Sequence, residues 1–207
     1  ERQAHEQVLI EALAQRVDGV IVSSRMPDQS VQWMLELHKP VVLFGRNHHF
    51  PIPSVGTDRH LSADRRARHR WNQGHRSIAY VGFGQSRWND ERIRGVQACL
   101  AEHGLSATVH DAQAPSPQAG ERACSSIMLG PNRPDAVICY NDLIALGFIK
   151  AARALGFSLP QDVSIAGFDN VPYGEYAWPA LTTVDLQSEK MGEIAVLKLI
   201  DSLAGKN

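Results

Sequence analysis

The sequence predicts an α/β fold built on parallel β-sheet, in one large domain or two small ones. Short apolar runs alternate along the 207 residues with longer stretches in which apolar residues recur at helical spacing. Strands separated by helices of about ten or more residues are joined by right-handed crossovers, so neighbouring strands run parallel. The hydrophobic fraction of 43% and the charged fraction of 21% are typical of a globular chain.

The individual elements follow from apolar patterning and from glycine and proline punctuation. Pro40 ends the second predicted helix, and Gly74 closes the third. Gly104 and Gly156 end two later helices in the same way. The predicted helices span residues 3–16, 27–38, 58–73, 89–103, 118–129, 143–155 and 188–203. The predicted strands span residues 20–23, 41–45, 54–57, 77–82, 107–110, 135–140 and 163–168.

Charge and composition exclude several classes of function. The formal net charge is -1, so no whole-surface attraction to nucleic acid is expected. No apolar run approaches the roughly 20 residues of a membrane helix, so we expect a soluble chain. Cys99, Cys124 and Cys139 lack CxxC spacing and predict packed thiols in a reducing, cytoplasmic compartment. His48 and His49 are the only adjacent histidines, and we expect no metal site.

Phosphate-binding and nucleophile motifs are missing from the sequence. It contains no GxGxxG, GxxxxGK[ST] or GxSxG segment, so we expect neither a cofactor nor a nucleophile elbow. Acids and an arginine occur at strand ends without a recognisable nucleophile–base pair, so we do not expect an enzyme. Ligands of open α/β sheets bind at the carboxyl ends of the strands. The residues at those ends include Ser23, Ser24, Arg25, Gly45, Arg46, Asn141, Asp142, Asp169, Asn170 and the segment 84–92.

Seven segments of the chain resemble, in order, the effector-binding core of the lactose-repressor/galactose-repressor (LacI/GalR) family of transcription factors. They are RVDGVIVSS, KPVVLFGR, SVGTD, GHRSIAYVG, ERIRGVQACLAEHGL, residues 134–170 and PALTTVDLQSEKMG. The resemblance implies the type I periplasmic-binding-protein-like fold, in which two α/β subdomains enclose a ligand cleft. It further implies that residues 1–56 and 185–207 belong to an N-terminal subdomain, and residues 57–184 to a C-terminal subdomain.

The resemblance also implies partners. The family binds a small effector, forms homodimers and reads operator DNA through a helix-turn-helix head. By the family's pattern, that head and the first strand–helix–strand of the core would precede Glu1, and the last strands would follow Asn207. The N-terminal subdomain is therefore expected to be incomplete in this chain, which alone should not bind an operator.

Arg92 is the first candidate effector-binding residue. It stands three residues before Gly95, where the family has its effector-contacting arginine. The prediction places it in the first turn of a helix, where a cation opposes the helix dipole by a few tenths of a kcal/mol. Its guanidinium fork suits paired sugar hydroxyls or a carboxylate. The alternative is an ion pair with Asp90.

Asn141 and Asp169 are the next candidates. Asn141 and Asp142 follow a strand and precede a helix, which is the N-cap position. We assign the cap to Asp142, because Asn141 matches the family's effector-contacting Asn. Asp169 matches the Asp of the family's G-[FY]-D turn, where a carboxylate can accept two hydroxyls. A structural brace of the turn is the alternative for Asp169.

Five further residues are candidates on position alone. Trp88 lies four residues before Arg92 and would suit stacking on a sugar ring, although a core or interface tryptophan is an equal interpretation. The other four stand at matching strand ends and are Ser23, Ser24, Gly45 and Thr57.

Two segments depart from the family pattern. Residues 115–117 are Pro-Ser-Pro where relatives commonly place an aromatic, which leaves the class of effector open. Arg66 and Arg70 stand where relatives carry apolar residues, within the basic segment 64–76. We interpret this segment as a solvated basic face rather than as a nucleic-acid surface.

The resemblance therefore implies that this chain is the ligand-sensing, dimerising core of a transcription regulator, most often a repressor in this family. Its effector, a sugar or sugar derivative, would bind in the cleft and allosterically alter operator binding. The alternative is a periplasmic solute-binding protein of a sugar transporter, which shares the fold. A helix-turn-helix upstream of Glu1 would indicate the regulator, and an apolar leader would indicate the transporter protein.

Overall fold

The structure is a computed structural model that describes residues 2–46 and 51–206, so His48 and His49 lie outside the described residues. The chain divides into two compact units. Unit 1 comprises Glu1–Asp58 together with Gln187–Asn207, and unit 2 comprises Arg59–Leu186. Each unit is described by itself.

Helices and strands alternate through both units, which confirms the α/β class. The α-helices are α1 (Arg2–Ala14), α2 (Arg59–Asn72), α3 (Arg87–Ala101), α4 (Pro117–Met128), α5 (Asp142–Ala154) and α6 (Ser188–Leu203). The strands are β1 (Val20–Ser23), β2 (Val41–Phe44), β3 (Ser54–Val55), β4 (Ile78–Gly82), β5 (Thr108–Asp111), β6 (Ala136–Cys139) and β7 (Ser164–Ala166). Two short 3₁₀ helices span Asp28–Glu36 and Pro172–Tyr176.

Unit 1 is a three-stranded parallel sheet in the order β1-β2-β3, with α6 in contact with all three strands. The helix predicted over residues 27–38 is present as a 3₁₀ helix over Asp28–Glu36. Its buried residues, Val31 and Met34, are three positions apart, and three residues make one turn of a 3₁₀ helix.

Unit 2 is a four-stranded parallel sheet in the order β5-β4-β6-β7. Every residue of the central strands β4 and β6 is buried, which is why both are continuous apolar runs in the sequence. Helix α2 packs on α3, and α4 packs on α5. A Cβ at Gly95 would lie 2.2 Å from the backbone oxygen of His60, so glycine is required where α3 approaches α2.

The three thiols are packed as predicted. Cys99, Cys124 and Cys139 are buried and form no disulfide. Burial raises the pKa of all three thiols, that of Cys124 to about 12, so the reactive thiolate is disfavoured. Within the described ranges, no helix has the length and apolar character that a bilayer crossing requires. No group of three or more potential metal ligands occurs among the same residues.

The basic face of α2 differs from its prediction. Arg66 and Arg70 are 8% and 3% exposed, so the prediction of a solvated face is wrong for these two residues. Arg70 donates hydrogen bonds to Ser164 Oγ at 2.8 Å and to the backbone oxygen of Ile165 at 3.1 Å. Burial, and then the charge of Arg66, lowers the pKa of Arg70 to about 10. The buried Arg70 therefore ties α2 to β7 through its head group.

Arg70→Ala should lower the free energy of unfolding by about 2–4 kcal/mol, because it opens a cavity and leaves the Ile165 carbonyl without this donor. Arg65→Ala, at an exposed position of the same helix, is the matched control and should change stability by no more than about 0.5 kcal/mol. Urea unfolding followed by circular dichroism measures both values. Equal losses for the two variants would contradict a structural role for Arg70.

Candidate functional site

Arg92 lies at the centre of a polar cluster in unit 2. Its side chain is almost fully buried, and one guanidinium nitrogen donates a hydrogen bond to the backbone oxygen of Tyr140. Its Nη2 lies 3.5 Å from Oδ1 of Asp169, so the carboxylate partner is Asp169 rather than Asp90. Tyr140 follows β6 and Asp169 follows β7, and these strands are neighbours in the sheet. The sheet therefore brings both residues to one edge, beside α3.

Two aromatic rings flank the Arg92 guanidinium. The guanidinium carbon is 4.7 Å from the ring centre of Tyr140 and 4.5 Å from that of Phe168. The Tyr140 hydroxyl is itself hydrogen-bonded to Ser86 Oγ at 2.8 Å. These contacts hold the planar guanidinium in one orientation by cation–π attraction. Arg92 is therefore positioned before any ligand is present.

The position of Arg92 within α3 differs from the prediction. The helix begins at Arg87, so Arg92 is in its second turn rather than its first. The effect of the helix dipole falls off within the first turn, so its opposition to this charge is weaker than predicted.

The roles of Asn141 and Asp142 also differ from the prediction. Asn141 is the N-cap of α5, and its Oδ1 accepts a hydrogen bond from the backbone N–H of Ile144 at 2.9 Å. The assignment of the cap to Asp142 is therefore wrong. Because the oxygen of Asn141 is bonded to the helix, its amide NH₂ is the group that can donate to a ligand.

Asp142 braces the turn that carries Asp169. Its carboxylate is fully buried and accepts hydrogen bonds from the Thr183 hydroxyl at 2.7 Å and the backbone N–H of Val171 at 2.9 Å. Burial raises the pKa of Asp142, while these two hydrogen bonds and the backbone of Asn170 act in the opposite direction. Asp142 therefore has a structural role. Its hydrogen bonds connect the start of α5, after β6, to the turn after β7 and to Thr183.

The backbone of this turn has an unusual conformation. Asp169 has a φ of 114° and Asn170 a φ of 55°, both in the region that favours glycine. Neighbouring backbone groups hold it, because Asp169 N donates to Val184 O at 3.0 Å. A Cβ at Gly167 would lie 2.1 Å from Asp142 Oδ1, so only glycine fits there. A turn that is strained and also fixed on several sides is typical of a functional site.

Trp88 and Arg59 form a second part of the cluster. The guanidinium carbon of Arg59 lies 4.2 Å above the Trp88 ring, so one face of that ring is covered by a cation. Arg59 is only 5% exposed, and its charge interacts with Arg92, Glu91 and Asp169. Burial, followed by the charge of Arg92, lowers the pKa of Arg59 to about 10.

Arg59 was not among the candidates predicted from the sequence. The signal that could have found it is its place as the first residue of α2, where a cation opposes the helix dipole. The opposition between a cation and the helix dipole was predicted for Arg92, but Arg92 lies in the second turn of α3, where the dipole acts less. Arg59 lies in the first turn of α2, where the effect is stronger.

The remaining candidates lie in unit 1. Ser23 ends β1 and Ser24 follows it, and Gly45 follows the neighbouring strand β2 with a φ of 75°. Ser24 is buried, and its Oγ accepts a hydrogen bond from the backbone N–H of Met26 at 3.1 Å. The Oγ1 of Thr57 is buried without a hydrogen-bond partner among the described residues. Of the four candidates in unit 1, only Thr57 has a buried side-chain oxygen that lacks a hydrogen-bond partner among the described residues.

Arg46, two residues after β2, has a structural role. It is buried and donates hydrogen bonds to Asp28 and to the backbone oxygens of Ser24 and Met26. It therefore ties the segment after β1 to the end of β2.

Known proteins resemble this chain in both sequence and fold. A family model for a periplasmic binding protein-like domain matches residues 67–207. The HTH-type transcriptional repressor PurR of Erwinia tasmaniensis is 33% identical over 213 residues, covering 97% of this chain and 61% of the repressor. The PurR of Pectobacterium atrosepticum is 30% identical over 211 residues, with the same two coverages.

A solved structure of a transcription regulator has a similar fold. A LacI-type transcription regulator from Bifidobacterium animalis subsp. lactis superposes with a TM-score of 0.86 at 28% identity, covering 98% of this chain and 78% of that one. The chain belongs to the LacI/GalR family. The relatives are named as transcription regulators, so the family assignment is to regulators and not to enzymes. This LacI/GalR core spans 61% of the length of the two PurR repressors.

Asp142→Ala should lower the free energy of unfolding by about 2–4 kcal/mol, because it leaves the Thr183 hydroxyl and the Val171 N–H without their acceptor. The control is Glu121→Ala, which removes a surface ion pair with Lys150 and should cost no more than about 1 kcal/mol. Chemical denaturation of both variants provides the comparison. If Asp142→Ala lowers the free energy of unfolding no more than the control does, the hydrogen bonds to Asp142 do not stabilise the fold.

Proposed function

We propose that this chain is the effector-binding core of a DNA-binding transcription repressor. This proposal rests mainly on the contact between the buried Arg92 and the half-exposed Asp169, with Asp142 holding the turn and Asn141 following Tyr140 in the chain. In this proposal the small-molecule effector binds the side chains of Arg92, Asp169 and Asn141 at the edge of the unit 2 sheet.

The chemistry of the cluster supports a sugar or sugar derivative as the effector. Arg92 and the amide of Asn141 supply donors, and the Asp169 carboxylate accepts hydrogen bonds from hydroxyl groups. Paired donors and acceptors in fixed positions suit a ligand with several adjacent hydroxyls, because each hydroxyl both donates and accepts. Trp88 adds an apolar surface next to these polar groups.

Operator binding is assigned to a helix-turn-helix head outside this chain, which the names of the PurR relatives support. An effector can shift the regulator between two states only by its difference in affinity for them, with coupling of typically ~1–3 kcal/mol. Saturating effector should therefore change operator affinity by roughly 5–150-fold. We place the regulator in the cytoplasm, which the unbridged, buried thiols support.

Asp169→Ala should weaken effector binding by about 30-fold or more, because it removes a charge-assisted acceptor from buried ligand hydroxyls. Arg92→Lys should also weaken it, because an ammonium cannot reproduce the guanidinium fork. Arg94→Ala, an exposed position on α3, is the control and should bind normally. A thermal-shift screen of sugars, sugar phosphates, nucleosides and purines on the full-length protein identifies the ligand, and titration calorimetry measures its affinity.

The Asp169 side chain is 38% exposed, so its removal should leave the melting temperature within a few degrees of the parent value. Operator binding should persist in this variant without responding to effector. Unchanged effector affinity in Asp169→Ala and Arg92→Lys would overturn the site assignment. Equal operator affinity with and without saturating effector would overturn the regulatory role.

We also propose that the core forms a homodimer, in keeping with the two half-sites that paired DNA-binding heads contact. Three aromatic residues of unit 2 are strongly exposed within six positions of the chain: Tyr173 at 71%, Tyr176 at 86% and Trp178 at 77%. Large exposed aromatics in such proximity are typical of protein interfaces.

Trp178→Ser combined with Tyr176→Ser should raise the dimer dissociation constant by about 30-fold or more, as expected when interface aromatics are removed. Leu129→Ser, which changes an apolar residue of unit 2 that is 67% exposed, is the control. Sedimentation velocity over a range of protein concentrations measures the constant. A protein that is monomeric at tens of micromolar, or a dimer unaffected by the double variant, would contradict this surface.

A further inference from the structure

We propose that Thr183 is a positioning residue of the effector site, and that its hydroxyl fixes the backbone of the turn that carries Asp169. This inference rests on the proposed function, and it assigns part of the effector affinity to a residue that acts through the backbone. Thr183 was not among the candidates predicted from the sequence. It lies 13 residues along the chain from Asn170, the residue of the turn that it contacts.

The Thr183 hydroxyl lies between the Asp142 carboxylate and the turn. It donates a hydrogen bond to Oδ1 of Asp142 at 2.7 Å, and its oxygen accepts one from the backbone N–H of Asn170 at 3.2 Å. The next backbone N–H, that of Val171, donates directly to Oδ2 of Asp142 at 2.9 Å. Two successive N–H groups after Asp169 are therefore connected to one buried acid, and the first of them is connected through Thr183.

The chemistry of this position requires a hydroxyl group. A carboxylate accepts hydrogen bonds and a backbone N–H donates them, so a side chain that connects the two must both donate and accept. The hydroxyls of serine and threonine have both capacities. Valine has nearly the shape of threonine and has neither, so Thr183→Val removes both hydrogen bonds with little change in packing.

The turn depends on such contacts because its backbone is in an unfavourable conformation. Asp169 has a φ of 114° and Asn170 a φ of 55°. The N–H of Asp169 is held by Val184 O at 3.0 Å, and the Asn170 N–H is held by Thr183. Without the hydroxyl, the turn can relax towards ordinary φ values. The Asp169 carboxylate, 3.5 Å from Arg92, then loses its fixed position.

The preceding threonine provides a matched control in the same segment. Thr182 is exposed, and its contact with the turn is made by its backbone oxygen, which accepts a hydrogen bond from Gly167 N at 3.0 Å. Replacing the Thr182 side chain leaves this hydrogen bond in place. Thr182→Val and Thr183→Val therefore make the same chemical change at adjacent residues, and only the second removes the hydroxyl that contacts Asn170 and Asp142.

Hydrogen–deuterium exchange tests the restraint on the turn without any ligand. In the full-length protein, Thr183→Val should speed the exchange of the Asn170 amide by about fivefold or more, as the loss of its hydrogen bond implies. Thr183→Ser, which keeps the hydroxyl, and Thr182→Val should exchange at the parent rate. Melting temperatures establish that each variant is folded, and Thr183→Ala takes the place of Thr183→Val if that variant does not fold.

Sugar binding provides the second measurement, with glucose, galactose, ribose and their phosphates as probes in titration calorimetry. For a probe that binds the parent, Thr183→Val should weaken binding by about fivefold or more, whereas Thr183→Ser and Thr182→Val should not. In the Asp169→Ala background the same substitution should weaken binding by about twofold at most, because the residue through which Thr183 acts is gone. A general loosening of the fold would instead weaken binding equally in both backgrounds.

The outcomes separate this inference from the proposed function. Faster exchange, together with a loss of affinity that depends on Asp169, supports the role of Thr183. Exchange at the parent rate in Thr183→Val, unchanged affinity, or an equal loss in the Asp169→Ala background overturns that role and leaves the effector-binding core in place, because the parent still binds the probe. Failure of every probe to bind the parent overturns the proposed sugar effector and, with it, a role of Thr183 in sugar binding.

Discussion

The carboxylate of Asp142 accepts two hydrogen bonds in the core of unit 2, and the geometry of the candidate site depends on them. They fix Val171 and Thr183 around the turn after β7. In this turn Asp169 has a φ of 114°, and its Oδ1 lies 3.5 Å from Nη2 of Arg92. A strained turn of this kind persists where its surroundings leave it no alternative. The buried acid thus acts on the ligand site through the backbone, without contacting a ligand itself.

Unit 2 buries several arginine side chains. Arg70 occupies an apolar position by bonding its head group to β7, and Arg92 is held between two aromatic rings. Arg59 brings a second cation to the edge of the sheet. Burial of a charge is costly unless other groups compensate for it. Arg70 has acceptors on β7 for this purpose, and Arg92 has the backbone oxygen of Tyr140 and the carboxylate of Asp169.

The sequence was sufficient for the fold wherever local patterning decides structure. The central strands β4 and β6 are buried on both faces, so their apolar runs were unambiguous. The burial of Arg70 was not predictable, because its acceptors lie 94 and 95 residues away in the chain. Family resemblance identified Arg92 and Asp169 as candidates, but it assigned the helix cap to the wrong residue. The partners of Asp142, 29 and 41 residues away, become visible only in three dimensions.

Crystal structures of the full-length protein with and without its effector test the central claim most directly, namely that the site is formed in advance by the brace at Asp142. We predict that Asp169 keeps its positive φ in both structures and that both hydrogen bonds to Asp142 persist. The effector should lie within hydrogen-bond distance of Arg92 and Asp169. A turn that changes conformation on binding, or an effector that contacts neither residue, would contradict this account.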